Sequence, residues 1–219
     1  ELIGEARMDA AGGMQSANIE RIFSRDSVDL RGAITRRGDG GYKVVVTGPF
    51  FDASPWMDSL LSMSNANTDM HGEPVGAPAN PGPAVDIQLT ADKLRLRENA
   101  EMTAAKVVML VDADGPRNGT VTGQLGKDKS LNVTIDTVNK VRKVSIKSDD
   151  AGFGARVLLK TDYLIGGKLN VDGSFVGGKG DAMVTMSDVR LKDAPFVAQL
   201  FSLASLRGLA DVLNGEGVL

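Results

Sequence analysis

The 219-residue sequence has no cysteine, one histidine, one tryptophan and only 5% aromatic residues. Without cysteine there is no disulfide scaffold, no thiolate zinc site and no thiol nucleophile. A single histidine, His71, excludes a histidine-rich metal centre and leaves any Ser-His-Asp triad dependent on that one residue. Neither sign of charge dominates: 25 basic and 28 acidic residues give a net charge of −3, with no clustered positive footprint for nucleic acid. No stretch approaches the roughly 20 apolar residues of a membrane-spanning helix, and no basic start with an apolar run and small-residue cleavage site marks a signal peptide. The chain opens at Glu1 and stops at Gly217-Val218-Leu219, so we expect a piece of a longer protein whose targeting or anchoring segments lie elsewhere.

What is abundant is glycine, 26 residues, within a composition that is 42% hydrophobic. Many turns and an aliphatic core follow. Several segments alternate apolar and polar side chains, the period of a strand with one wet face. Val28 and Leu30 alternate with Asp29 and Arg31; Gly41–Thr47 follows a glycine-rich turn; Val85, Ile87 and Leu89 alternate with Asp86, Gln88 and Thr90, and Leu94 and Leu96 continue the pattern. Lys106–Val111 is nearly all apolar and reads as a strand buried on both faces. Then come Val121, Gly123 and Leu125; Leu131, Val133 and Ile135; Val144 and Ile146; Leu169, Val171, Gly173 and Phe175; and finally Met183–Leu191. Strand signals recurring about every 12 residues leave no room for a helix between each pair, which predicts a mainly β, antiparallel meander.

Three segments are predicted helical. Ser54–Met63 has Ser54 as cap, Pro55 in the first helical position and a stripe of Trp56, Leu60, Leu61 and Met63. Asp150–Leu159 is capped by Asp149 or Asp150. Residues 193–214 form the clearest helix, from Asp193 and Pro195 to Asn214-Gly215, roughly 28 Å long. It either covers one sheet face as core or acts as an amphipathic element at a membrane or over a lipid groove. The organisation expected is strands and a short helix over 1–64, a Pro/Gly-rich flexible loop over 65–83, and antiparallel strands ending in the helix over 84–219.

The chemical motifs are weak. Gly173–Gly180 approaches a phosphate-binding loop, but Gly180 follows Lys179 where Ser or Thr is needed, and a strand signal follows instead of a helix. Asp112–Gly119 offers Pro116 and Arg117 where a calcium loop needs an oxygen ligand and a glycine. Arg37-Gly38-Asp39 sits in a hairpin-turn sequence, and His71 lies in the Pro/Gly-rich loop, a poor place for a catalytic base. No nucleophile elbow, metalloprotease helix or dinucleotide fingerprint is present. The reading is therefore non-enzymatic, with no cofactor and no metal.

Four stretches in order, Gly48–Pro55, Ser148–Gly152, Gly166–Gly173 and Gly180–Gly217 with Asp193-Ala194-Pro195 and Leu213–Gly217 inside the last, resemble the AsmA-like superfamily of Gram-negative envelope proteins, in the C-terminal region of its YhdP-type branch. The resemblance covers about three-quarters of the chain, from Thr47 onward. It implies a strongly curved antiparallel sheet with an apolar groove, in a periplasmic protein held by an N-terminal inner-membrane helix. It further implies carriage of phospholipids between inner and outer membranes, and no catalytic residues. On that reading the acyl-chain path is lined by Val85, Ile87, Leu89, Val133, Ile135, Val144, Ile146, Leu169 and Val171, and Phe196, Leu200 and Leu203 of the long helix close one end. The alternative is a structural or chaperone-like module whose apolar sheet, or its exposed edges, receives strands of envelope or outer-membrane proteins.

Overall fold

The computed structural model describes residues 1–62, 82–113, 115–176 and 179–192. Within them the chain forms thirteen strands and two helices: β1 Leu2–Met8, β2 Met14–Ser24, β3 Val28–Arg36, β4 Tyr42–Asp52, α1 Ser54–Ser62, β5 Val85–Arg97, β6 Ala100–Asp112, β7 Gly115–Gly126, β8 Lys129–Val138, β9 Val141–Ser148, α2 Ala151–Leu158, β10 Leu164–Ile165, β11 Lys168–Val176, β12 Lys179–Ser187 and β13 Arg190–Leu191. Eleven strands make one sheet in the order β1-β2-β3-β4-β5-β6-β7-β8-β9-β11-β12, and β10 pairs with β13 in a separate two-stranded sheet. The mainly β fold expected from the alternation is present. The all-antiparallel expectation is corrected at one junction: β4 and β5 run parallel, Tyr42 opposite Val85 through Asp52 opposite Arg95. A parallel pair needs a long crossover, and α1 begins it. The predicted helix over 193–214 lies outside the described residues.

Where the alternation is unbroken, register follows from it. Val133 and Ile135 of β8 face Ile146 and Val144 of β9, and these in turn face Val171 and Gly173 of β11. A line of irregularity crosses the middle of the sheet: register shifts between Asp29 and Arg31 against β4 and between Thr103 and Lys106 against β7, where Ala104 takes φ 49°. An extra residue reverses which side chains face inward. Val46 thus shares a face with Phe51, Ala91 with Leu94, and Met102 with Ala105, and all are in the core or packed against it. Leu94 and Leu96 therefore face inward in a phase opposite to Val85, Ile87 and Leu89, correcting the simple continuation expected from sequence.

Both helices lie on this inward face at one end of the strands. Ala53 and Met57 from the α1 side and Phe153 and Val157 from α2 join Leu94, Met102 and Leu131 in the principal core. Among the described side chains of α1 the core contact is Met57; the predicted Trp56 is 52% exposed and stacks on Phe51 at 5.5 Å, and the predicted Leu60, Leu61 and Met63 side chains lie outside the described residues. At the start of α1, Asp52 Oδ1 accepts both the Ser54 N–H and its hydroxyl, at 2.9 and 2.6 Å. In α2 the cap is Asp150, whose Oδ1 accepts the Phe153 N–H at 2.9 Å; Asp149 instead accepts the Ser130 hydroxyl at 2.7 Å. Gly154 lets α2 approach β11 closely, since a Cβ there would lie 2.4 Å from Leu169 Cδ2. Lys106–Val111 is not buried on both faces: Val108 is 49% exposed.

Candidate functional site: an aliphatic sheet face

Reading partners strand by strand, one line of side chains crosses all eleven strands: Gly4, Ile19, Gly32, Val46, Leu89, Val107, Val121, Val133, Ile146, Val171 and Val184. Two residues along each strand a second line does the same: Ala6, Ala17, Ile34, Val44, Ile87, Met109, Gly119, Ile135, Val144, Gly173 and Ala182. Neither line contains a side chain that hydrogen-bonds strongly, and with strands about 4.8 Å apart each is roughly 48 Å long. The reverse face carries Arg31, Thr47, Thr90, Lys106, Thr122, Asn132, Lys147, Asn170 and Thr185 in one line of partners. One face is therefore continuously aliphatic, and the other is mainly polar, with Val45, Val108 and Met183 exposed among its polar residues.

Glycines punctuate the aliphatic face at points of close approach. A Cβ on Gly32 would sit 2.0 Å from the Val45 carbonyl oxygen, and one on Gly119 would sit 2.5 Å from that of Val108, both backbone atoms of the neighbouring strand. Gly4, Gly48 and Gly180 repeat the geometry against Asn18, Asp29 and Ser174. At each of these seams the neighbouring backbone occupies the volume above the glycine on the aliphatic side.

All nine sequence-predicted lining residues fall on this one face, in different settings. Ile87, Ile135 and Val144 lie in the line farther from the helices, Val133, Ile146 and Val171 in the nearer one, and all six are half-buried. Val85, opposite Tyr42 and Val111, is at the rim. Leu89 is buried in the principal core, and Leu169, 2% exposed beneath α2, is filled core with no surface for a ligand. Phe196, Leu200 and Leu203 lie outside the described residues. The lines also contain Val44, Val46, Val107, Met109 and Val121, which the sequence reading did not single out as lining; the run Lys106–Val111 carried the signal, since Val107 and Met109 alternate within it.

The flank of the face is tied down by charge. Asp58 of α1 pairs with Arg97 of β5 and, at 3.0 Å, with Lys160 beyond α2. Hydrogen bonds from Arg97 and then Lys160 hold its carboxyl down to about 2. Arg95 reaches Glu101 at 2.8 Å and Asp52 at 3.3 Å, binding β4, β5 and β6 where α1 begins. On the described surface a separate cleft of about 540 Å³ lies along the line of bulges, lined among others by Glu20, Arg21, Asp29, Arg31 and Asp92. Its charges are mixed, with Arg21 3.7 Å from Asp29.

The weak motifs fall in turns. Gly173–Gly180 spans the β11–β12 hairpin, Val176 opposite Lys179, and Asp112 opposes Gly115 where β6 returns as β7. Arg37 and Asp39 pair at 2.6 Å at the β3–β4 tip. Among the described residues no group of three or more His, Cys, Asp or Glu could hold a metal ion, and no described helix is long and apolar enough to cross a membrane. His71 lies outside the described residues.

No protein-family model matches the chain, and comparison with curated proteins and with solved structures likewise gave no match.

Proposed function

We propose that this chain is a non-enzymatic segment of a lipid carrier whose aliphatic sheet face takes phospholipid acyl chains, leaving headgroups at the water-exposed rim. The observation that carries the reading is the pair of unbroken aliphatic lines. Among the described residues the second sheet, β10 with β13, has only two residues in each strand and is too small to fill that face, and an apolar surface of this extent is costly in water unless something covers it. Acyl chains need no directional hydrogen bonds, so Val, Ile and Met side chains suit them. The glycine seams support a concave face: a neighbouring backbone standing over the aliphatic side tilts each such strand pair toward it. The resemblance to AsmA-like proteins adds the setting, a periplasmic bridge between inner and outer membranes with the parent protein anchored in the inner one.

The test is native mass spectrometry of the purified chain, followed by organic extraction and lipid identification. Phospholipid is expected to co-purify, to be lost in Ile135→Asp and Val144→Asp, and to persist in Thr134→Asp, which places the same charge on the polar face. A lipid-free, well-folded wild-type chain refutes the reading. A second reading, reception of envelope-protein strands by a structural or chaperone-like module, is favoured by β1 and β12, which among the described residues have one neighbouring strand each. It predicts capture that survives Ile135→Asp.

A further inference from the structure

Two bulges in consecutive strands open a cleft inside the sheet. Glu20 and Arg21 of β2 together oppose Arg31 of β3, and Gly48 and Pro49 of β4 together oppose Leu30. A bulge re-aims the side chains beside it. Here residues from both bulges line the same cleft of about 540 Å³, which Asp92 of β5 completes. That volume is in the range of small-molecule sites. The four contributing strands, β2 to β5, each have a neighbour on both sides, so the cleft belongs to the interior of the sheet. Arg31 and Thr47, opposite each other, stand in the polar line of the reverse face. The site is therefore distinct from the aliphatic lines.

The charges in this cleft are of two kinds. Arg21 lies 3.7 Å from Asp29, and its guanidinium stands 4.6 Å over the Phe23 ring; both charges are engaged within the protein. Arg31, Glu20 and Asp92 differ. Among the described residues none of these three side chains has a hydrogen bond or an ion pair. One is a cation and two are anions, they line one cleft, and they do not pair with each other. Two strand spacings separate the backbones of Arg31 and Asp92 by at least about 10 Å. A ligand with an oxyanion at one end and an ammonium at the other spans such an interval, each end making charge-assisted hydrogen bonds of about 2.8 Å. The Arg31 guanidinium is a fork for the oxyanion, with the Thr47 hydroxyl as a second donor on the neighbouring strand. Glu20 and Asp92 accept from the ammonium. A bare anion would meet three carboxylates, and a bare cation would leave Arg31 unanswered. We propose that this cleft binds a small zwitterion in which an ammonium is joined to a phosphate or carboxylate through a short carbon chain. The proposal does not depend on what the aliphatic face carries.

The test is calorimetric titration of the full chain at low ionic strength, where exposed charges are least screened. The zwitterions phosphoethanolamine and β-alanine are compared with ethanolamine, inorganic phosphate and acetate. One of the two zwitterions is expected to bind about ten-fold more tightly than either of its halves, and which one binds names the oxyanion. Arg31→Gln and Asp92→Asn should each weaken that binding about ten-fold. Both side chains are exposed, so the variants should fold, and equal urea midpoints check it. Lys106→Gln removes a cation of the same polar line outside the cleft and should change nothing. Ile135→Asp, on the other face, should also leave the titration unchanged, which keeps failure here distinct from failure of lipid carriage. No binding of either zwitterion, a half that binds as tightly as the whole, or wild-type affinity in Arg31→Gln overturns the proposal. Where phosphoethanolamine is the ligand, flotation with phosphatidylcholine vesicles, with and without phosphatidylethanolamine, separates its sources. Attachment that needs phosphatidylethanolamine and is lost in Arg31→Gln assigns a lipid headgroup, and equal attachment to both vesicles assigns the free ester.

Discussion

Replacing Gly32 by alanine tests whether the glycine seams are structural necessities of the aliphatic face. A Cβ at Gly32 would lie 2.0 Å from the Val45 carbonyl oxygen and 2.8 Å from Val46 Cα, both backbone atoms of β4. No rotamer relieves a contact with backbone, so β3 and β4 must part by about 1 Å to reach the shortest separations that packed atoms tolerate. Ladder hydrogen bonds of about 2.9 Å do not survive that stretch. Two of them at about 1 kcal/mol each, with the overpacking strain of an added methyl at roughly 1–3 kcal/mol, place the cost at about 3 kcal/mol. Gly38, at the β3–β4 tip, has nothing within 4 Å of the same added atom and no positive φ; alanine there should stabilise by about 0.5 kcal/mol through the unfolded chain. Urea unfolding measures both. The Gly32→Ala midpoint should fall with an unchanged slope, and lipid occupancy should fall with it as the seam flattens. Equal stabilities for Gly32→Ala and Gly38→Ala would refute the reasoning, because the backbone contact that only Gly32 has would then carry no cost.

Three further outcomes follow from the helix flank and the core. Asp150→Ala removes the acceptor of the Phe153 N–H and the partner of Lys129, and should lower stability by about 1 kcal/mol in urea unfolding; no change would mean that the cap is replaced by water. Met102 is 1% exposed and its Sδ lies 2.7 Å from where a Cβ on Gly123 would stand; Met102→Ala should cost about 3 kcal/mol, and Gly123→Ala, harmful alone, should recover part of that loss in the double variant. Asp58, held at about 2 against an ordinary 3.8, contributes stability that is complete above about pH 4 and is lost as pH falls toward 2. Acid unfolding of Asp58→Asn should therefore be shallower in that interval, and parallel acid curves for variant and wild type would remove Asp58 from the account.

The sequence made the aliphatic face legible wherever alternation runs unbroken. Val133, Ile135, Val144 and Ile146 are such a case, because β8 and β9 pair without a bulge. Two kinds of information were not local. The first is phase. Leu94 and Leu96 look like a continuation of Val85, Ile87 and Leu89, yet the reversal near Asp92 is shared with β4 and β6, and Ala104 adopts φ 49° only in that context. β2 escaped the sequence reading for the same reason: Ile19 and Ile22 are three apart across a bulge and fit no strict two-residue period. The second is direction. Nothing in the alternation of β4 or β5 says that they pair in parallel, because direction is set by the connection between them. α1 shows a smaller version of the problem, since Trp56 and Met57 are adjacent and only packing selects Met57 for the core.

The face and the edges of this sheet present different chemistry and so select different occupants. An extended peptide laid across the aliphatic lines would bury N–H and C=O groups against Val, Ile and Met side chains that offer no partner, at several kcal/mol for each unmet group. An acyl chain carries no such groups and loses nothing by lying there. At the edges that β1 and β12 form among the described residues the situation is reversed: backbone groups are what the sheet offers, which a lipid chain cannot answer and a strand can. Charge placed at Ile135 should therefore abolish lipid occupancy while leaving strand capture at the edges intact, and lysine at Met183, on the reverse face of β12 opposite Asp172, should hinder capture of a strand while leaving lipid in place. If either substitution abolished both, face and edge would be one site, and the assignment of separate occupants would fail.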